Sequence, residues 1–235
     1  MRVRIRYCGF LGKGWFLSML VFMFLFFRAE DGIRDLVRSR GLGDVCKRTG
    51  LALTRCGARV GDDVYVSGVI GHGAAGLKVA LSVLATPGDS VDKQQLDALL
   101  RFNRPQPRVE LGMALRGIAT SCIDVSDGLF ADLQHVLSAS GVGACLALAS
   151  IPLSEAVVAS ILFSGKSERE KRLLACNAGD DYELCFTAPR AARERVALKS
   201  DVYEVGLTRI GRIESGDSVL DDSGAPLVSS GYQHF

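Results

Sequence analysis

Residues 121–138 read SCIDVSDGLFADLQHVLS, and this stretch carries the signals that decide the fold. Its first part, Ser121 to Val125, is a short run of β-type residues bounded by polar ones, which is typical of a strand. From Leu129 to Ser138 apolar residues recur at spacings of three and four, the pattern of an amphipathic helix. The stretch therefore predicts a strand that leads through a short acidic loop directly into a helix.

The same alternation continues outward from this stretch, over Gly50 to Phe235. It argues for an α/β or α+β domain. The other strand candidates are residues 63–70, 143–148, 182–187 and 208–213, and the other helix candidates are residues 74–84, 92–102, 109–119, 154–162 and 191–198. Asp92 is a candidate cap for its helix, with Leu96, Leu99 and Leu100 on the buried side. The charged residues 166–172 (KSEREKR) are interpreted as a solvated loop or helix face.

Charge is distributed unevenly along the 235 residues. The formal net charge is +2, but residues 1–49 contain ten Lys and Arg against four Asp and Glu, a net of +6, and the remainder has a net of −4. An argument for nucleic-acid binding from basic character would therefore rest on the first fifth of the chain alone. No nucleic-acid partner is predicted.

The first 49 residues are predicted to be a leader foreign to the protein. Residues 15–27 form a nearly unbroken apolar run, which is shorter than the roughly 20 residues of a spanning helix. Residues 26–49 (FFRAEDGIRDLVRSRGLGDVCKRT) resemble translated sequencing-adapter DNA, and the composition changes at Gly50. The alternative is a genuine membrane anchor formed by residues 15–27.

The seven cysteines do not have the spacing of a disulfide framework or a zinc site. Their number is odd, and no C-x-x-C pair occurs. Most lie in apolar runs, where a free thiol behaves as a small buried hydrophobe. We therefore expect reduced cysteines and a cytoplasmic location. The residues concerned are Cys8, Cys46, Cys56, Cys122, Cys145, Cys176 and Cys185.

Residues 71–76 (GHGAAG) have the formal G-x-G-x-x-G spacing of a dinucleotide-binding turn. They follow a predicted strand and open a predicted helix, as that motif requires. The acidic residue expected about 20 positions later, at the end of a second strand, is replaced by a loop that leads into a helix. The sequence therefore favours a tight, closely packed turn over a dinucleotide site.

Asp124, Ser126 and Asp127 form the first candidate site. Two carboxylates and a hydroxyl are hard oxygen donors that suit Mg²⁺, and the following helix N-terminus favours phosphate oxygens. An equally weighted alternative makes Ser126 or Asp127 a helix N-cap only.

Two further motifs are candidates for binding. Asp180, Asp181 and Glu183 lie within four residues directly before an apolar strand, and they suit either a metal or cationic ligand or a solvated turn. Arg55 is a candidate phosphate clamp, because a guanidinium forms bidentate bonds with oxyanions.

Read together and in order, these motifs resemble the thiamine-monophosphate kinases. The resemblance rests on residues 53–77, RPQPRV and IDVSDGL, then IPLS, AGDDYELCFTAP, TRIGRI and the terminal GYQHF. It implies the C-terminal domain of the aminoimidazole-ribonucleotide-synthetase-like fold, a mixed sheet flanked by helices. It also implies transfer of the γ-phosphoryl group of ATP to thiamine monophosphate with Mg²⁺, by a homodimer in the full-length family. No covalent catalytic side chain is implied, because positioning and charge neutralisation suffice for phosphoryl transfer.

The resemblance also implies roles for individual residues. Asp124 and Asp127 would bind Mg²⁺, and Arg55 and Ser126 would contact ATP. Asp180 and Tyr232 would contact thiamine monophosphate. His72 stands where the family has an acidic residue.

A division into domains follows from the same resemblance. Residues 1–49 are predicted to be the leader, 50–60 a remnant of an ATP-binding domain and 61–235 the C-terminal domain. Weak or no activity is expected of the chain, because the remaining aspartate motifs of the family are absent. The alternatives are another ATP-dependent synthetase of the superfamily and a membrane-anchored fragment without catalytic activity.

Overall fold

The structure is a computed structural model that describes residues 52–86, 91–155 and 165–227. A six-stranded sheet forms its centre, with the strand order β2-β4-β1-β5-β3-β6. All neighbours are antiparallel except β3 and β6, which are parallel. The strands are β1 Asp63–Ser67, β2 Ser121–Asp124, β3 Gly143–Leu146, β4 Leu184–Ala188, β5 Leu207–Glu214 and β6 Val219–Asp221.

Helices cover both faces of this sheet. They are α1 His72–Ala85, α2 Lys93–Asn103, α3 Val109–Ala114, α4 Leu129–Ser140, α5 Glu168–Cys176 and α6 Arg193–Tyr203. One apolar cluster joins α4 and α5 to one face, and a second joins α3 and α6 to the other. Since both faces are covered, every residue of the central strand β1 is buried.

Alternation along the strands divides side chains between the two clusters. Val64 and Val66 of β1 pack with α4, whereas Tyr65 points to the opposite face. Tyr65 is paired in register with Phe186 of β4, and the two rings stack at a centroid distance of 5.2 Å. This cross-strand aromatic pair fixes the register of the two central strands.

The predicted α+β fold with a mixed sheet is confirmed, although several element boundaries differ from those predicted. All five predicted strands are present, but the short strand β6 was not predicted. The predicted cap of α2 is also present, because Asp92 accepts a hydrogen bond from the Gln95 amide. The predicted burial of Leu100 is wrong, since this side chain is 53% exposed and Ala98 is buried instead. A helix packed mainly on a single neighbour, α1, does not bury all of its apolar residues.

Charged residues 168–172 belong to a helix rather than to a loop. Ser167 caps α5, accepting from the Glu170 amide, while the Glu170 carboxylate accepts from the Ser167 amide. The helix prediction for residues 154–162 lies almost wholly outside the described residues.

The predictions for residues 1–49 also lie outside the described part of the chain. Within the described ranges, no helix combines the length and the apolar character needed to cross a membrane. The five described cysteines are free thiols, as predicted. Cys176 and Cys185 are buried, whereas Cys56, which does not lie in an apolar run, is exposed.

Candidate functional site

Two acidic segments meet at the end of β2. We call residues Asp124–Gly128 the acidic loop and residues Gly179–Glu183 the acidic turn. Three backbone hydrogen bonds join them: Val125 N–H to Glu183 O at 2.7 Å, Tyr182 N–H to Val125 O at 2.8 Å and Asp180 N–H to Ser126 O at 2.9 Å. The two candidate motifs that are 56 residues apart in sequence are therefore one structural unit.

Asp132 on the first turn of α4 determines the shape of the acidic loop. Its buried carboxylate accepts hydrogen bonds from the backbone amides of Ser126 and Asp127, at 2.9 and 3.0 Å. Burial raises the pKa of the Asp132 carboxyl, and the negative charges of Asp127 and Asp124 add to this effect. This residue supports the loop from inside, and sequence reasoning did not identify it.

The N-terminus of α1, which carries the G-x-G-x-x-G spacing, binds a carboxylate from the protein itself. Asp181 accepts hydrogen bonds from the amides of Gly71 and Gly73, at 2.8 and 3.0 Å. Burial raises the pKa of Asp181 to about 7, while the amide donors act in the opposite direction. A pyrophosphate would need the amides that Asp181 occupies. The structure thus agrees with the prediction of a closely packed turn.

Glycine is required where α1 meets the acidic turn. A Cβ atom on Gly73 would lie 2.2 Å from the carbonyl oxygen of Gly179, and one on Gly179 would lie 2.2 Å from the carbonyl oxygen of Ser126. Three backbone segments therefore approach one another without intervening side chains.

Glu183 is part of a buried ion pair. Its carboxylate receives two hydrogen bonds from Arg108, at 2.6 and 2.9 Å, and a short one from the Ser67 hydroxyl. The Ser67 oxygen in turn accepts from the Leu184 amide at 2.8 Å. Glu183 is only 4% exposed. It fixes the base of the acidic turn and is not available to a ligand.

Tyr182 lies in the acidic turn, next to Asp180 and Asp181. Its hydroxyl donates to Asp180 Oδ1 at 3.3 Å. Burial raises the pKa of the Tyr182 phenol, and the negative charges of Asp180, Asp124 and Asp127 raise it further. Among the predicted aspartates, Asp180 is therefore the one that contacts this phenol. Sequence reasoning did not single out Tyr182, although it lies inside the AGDDYEL motif.

The carboxylates of Asp124, Asp127 and Asp180, which we call the acidic group, offer oxygen donors of the kind that Mg²⁺ prefers. Asp124 is exposed, and Asp127 and Asp180 are half-buried. No group of three or more His, Cys, Asp or Glu side chains in the described ranges is arranged to hold a metal ion. Mg²⁺ commonly uses only one or two protein carboxylates and completes its octahedron with phosphate oxygens and water. Asp124 and Asp127 fit that role.

The structure does not join Arg55 to this group through any contact that it describes. Arg55 is exposed beside β2, its carbonyl accepts from the Ser140 hydroxyl at 3.4 Å, and the preceding carbonyl of Thr54 accepts from the Cys122 amide. Its predicted role toward ATP stays a prediction. Tyr232 lies outside the described residues.

Comparison with known proteins identifies the family of this domain. Residues 59–221 match the family model "AIR synthase related protein, C-terminal domain". Thiamine-monophosphate kinase of Escherichia coli K12 is 40% identical over 192 residues, which cover 79% of this chain and 56% of that protein. The Haemophilus influenzae enzyme of the same name is 40% identical over 188 residues, covering 76% and 54%. The chain thus spans about half the length of the curated relatives it matches.

Solved structures agree with these relatives. Thiamine-monophosphate kinase from Stenotrophomonas maltophilia K279a superposes with a TM-score of 0.66 at 39% identity, covering 75% of this chain and 54% of that one. AaThiL complexed with AMPPCP and TMP gives a TM-score of 0.65 at 32% identity, covering 78% and 54%. The resemblance inferred from the motifs is confirmed, and the chain belongs to the family of AIR synthase related proteins, whose C-terminal domain it carries.

Proposed function

We propose that this chain is the C-terminal portion of a thiamine-monophosphate kinase, which transfers the γ-phosphoryl group of ATP to the phosphate of thiamine monophosphate. The proposal is supported by relatives of that name at 40% identity and by the likeness to a structure that contains AMPPCP and TMP. In finer detail, we place the enzyme in the cytoplasm and expect the full-length protein to be a homodimer. The division at residues 49 and 60 belongs to the same proposal.

One observation carries the proposal most directly: the acidic loop and the acidic turn form a single unit. Transfer between two phosphates brings several negative charges together, and catalysis consists mainly of positioning and charge neutralisation. In the proposed role, Asp124 and Asp127 hold Mg²⁺, which supplies the positive charge when bound. Ser126 and Arg55 orient ATP, and Asp180 and Tyr232 orient thiamine monophosphate.

The test is a coupled assay of the purified chain with Mg²⁺, ATP and thiamine monophosphate. It measures ADP release and the formation of thiamine diphosphate. Calorimetric binding of thiamine monophosphate accompanies it, so that slow turnover is not mistaken for the wrong substrate. In keeping with the weak or absent activity that the sequence predicts, we expect binding of thiamine monophosphate and at most slow turnover, with no response to an aminoimidazole nucleotide or selenide. Binding of an aminoimidazole nucleotide or selenide in place of thiamine monophosphate, or no binding of thiamine monophosphate at all, would overturn the proposal.

Substitutions test whether Asp124 and Asp127 contribute more to the reaction rate than an ordinary surface carboxylate does. Asp124→Asn and Asp127→Asn should each lower the rate by about 100-fold, the order of loss seen when one group that stabilises transition-state charge is removed. The matched control is Asp201→Asn on α6, an exposed carboxylate on another helix. Equal rates for all three variants would place the chemistry elsewhere.

A further inference from the structure

The acidic turn has a backbone conformation that its residues disfavour. Asp180 has a φ of 65° and Tyr182 a φ of 51°, so two non-glycine residues lie in the left-handed region on either side of Asp181. Non-glycine residues adopt this region uncommonly, and for a bulky aromatic residue such as Tyr182 it carries a steric cost. Surrounding contacts must therefore hold the turn in place.

Asp181 makes contacts that can hold the acidic turn in this conformation. Both of its carboxylate oxygens are used, Oδ2 by the Gly71 amide and Oδ1 by the Gly73 amide. The backbone amides of its two neighbours bond to the acidic loop, Asp180 to Ser126 and Tyr182 to Val125. The side chain of the middle residue is thus anchored to α1, while the flanking residues are attached to the loop.

We propose that Asp181 is a positioning residue whose attachment to α1 holds Asp180 and Tyr182 in left-handed conformations beside Asp124 and Asp127. The part of this inference that concerns substrate binding rests on the proposed function. The part that concerns the conformation of the acidic turn does not. If Asp181 were only a helix cap, it would accept from the Gly71 and Gly73 amides, and its removal would not change the conformation of the acidic turn.

Amide hydrogen exchange measured by NMR on the full chain distinguishes these roles. Asp181→Asn places an amide group opposite two N–H donors, so it loses at least one of the two bonds. We expect exchange at residues 180 and 182 to become at least tenfold faster, while the amides of β4 keep their rates. If exchange becomes faster only at Gly71 and Gly73, Asp181 acts as a helix cap and nothing more, and the inference is overturned.

Two further variants make the experiment specific. Adding Tyr182→Gly to Asp181→Asn should restore protection at residue 180, because glycine adopts left-handed conformations without steric cost. The matched control is Asp92→Asn, which removes the charge from another helix-capping aspartate and should leave the acidic turn unchanged. If Asp181→Asn does not fold, Asp181→Ser, which keeps one acceptor, replaces it under the same criteria.

Kinetics test the functional part. In Asp181→Asn we expect the KM for thiamine monophosphate to rise at least fivefold and the KM for ATP to change less than twofold, because Asp180 lies on the proposed substrate side. Equal changes in both constants would overturn this part. If the unsubstituted chain neither binds nor phosphorylates thiamine monophosphate, the proposed function fails, while the exchange pattern still decides the role of Asp181.

Discussion

Removing Arg108 should destabilise the domain far more than removing an ordinary surface arginine. The Arg108 side chain is 18% exposed and that of Glu183 is 6% exposed, so Arg108→Ala leaves a buried carboxylate with Ser67 as its remaining side-chain donor. Breaking a buried pair from one side costs about 3–5 kcal/mol. Against a typical total of about 5–15 kcal/mol, that loss is a large share of the unfolding free energy.

Urea denaturation followed by circular dichroism measures this loss. The matched control is Arg101→Ala, which breaks the exposed pair with Asp97 and should cost less than about 1 kcal/mol. The double variant Arg108→Ala with Glu183→Gln should cost clearly less than the sum of its two single changes, because both remove one interaction. If Arg108→Ala costs no more than Arg101→Ala, the pair does not hold the acidic turn and the reasoning from burial is refuted.

Two other predictions concern the sheet and the glycine contacts. Hydrogen bonds from Arg193, together with its positive charge, hold the pKa of Asp63 below its usual range. The ionised carboxylate therefore stabilises the fold above about pH 4, and this contribution is lost as the pH falls further. The difference in unfolding free energy between the native chain and Asp63→Asn should therefore be constant from pH 5 to 8 and shrink below pH 4; a constant difference down to pH 2 would contradict this. Gly73→Ala should cost about 1–3 kcal/mol in thermal or urea unfolding, because its Cβ would lie 2.2 Å from a carbonyl oxygen of the acidic turn. Gly112→Ala in α3, where the Cβ has 3.7 Å of space, should be neutral or stabilising by up to about 1 kcal/mol, and equal costs for both would show that packing at Gly73 is not the cause.

The parts of the fold that could be predicted are those with a strong local pattern. Asp63 to Ser67 alternates β-branched and aromatic residues, and Leu129 to Ser140 shows clear helical spacing. The strand β6 has only three residues, too few for any period to show, and it forms because β3 offers a free edge. The capping box of α5 was readable in the sequence, because Ser167 and Glu170 have the S-x-x-E spacing that marks a helix start.

The orientation of the acidic side chains could not be predicted from spacing. Asp124 and Asp181 belong to similar short acidic motifs, yet Asp124 is exposed and Asp181 is bonded to two buried glycines. In a regular strand successive side chains alternate between the two faces. The left-handed residues Asp180 and Tyr182 break that rule, and a positive φ outside glycine has no reliable sequence signal.

The anchoring of Asp181 also bears on how phosphate groups can be held in this domain. In many nucleotide-binding proteins the positive end of a helix and its free amides bind the phosphates directly. Here the Asp181 carboxyl group already occupies that place on α1, so a phosphate that approached it would find the Gly71 and Gly73 amides bonded. In the proposed function, phosphate binding near the acidic loop would therefore depend on cations, either a guanidinium group such as that of Arg55 or divalent ions that Asp124 and Asp127 would hold. If the proposed function is correct, metal ions replace this helix N-terminus in binding phosphate, and we expect nucleotide binding to be lost when divalent ions are chelated.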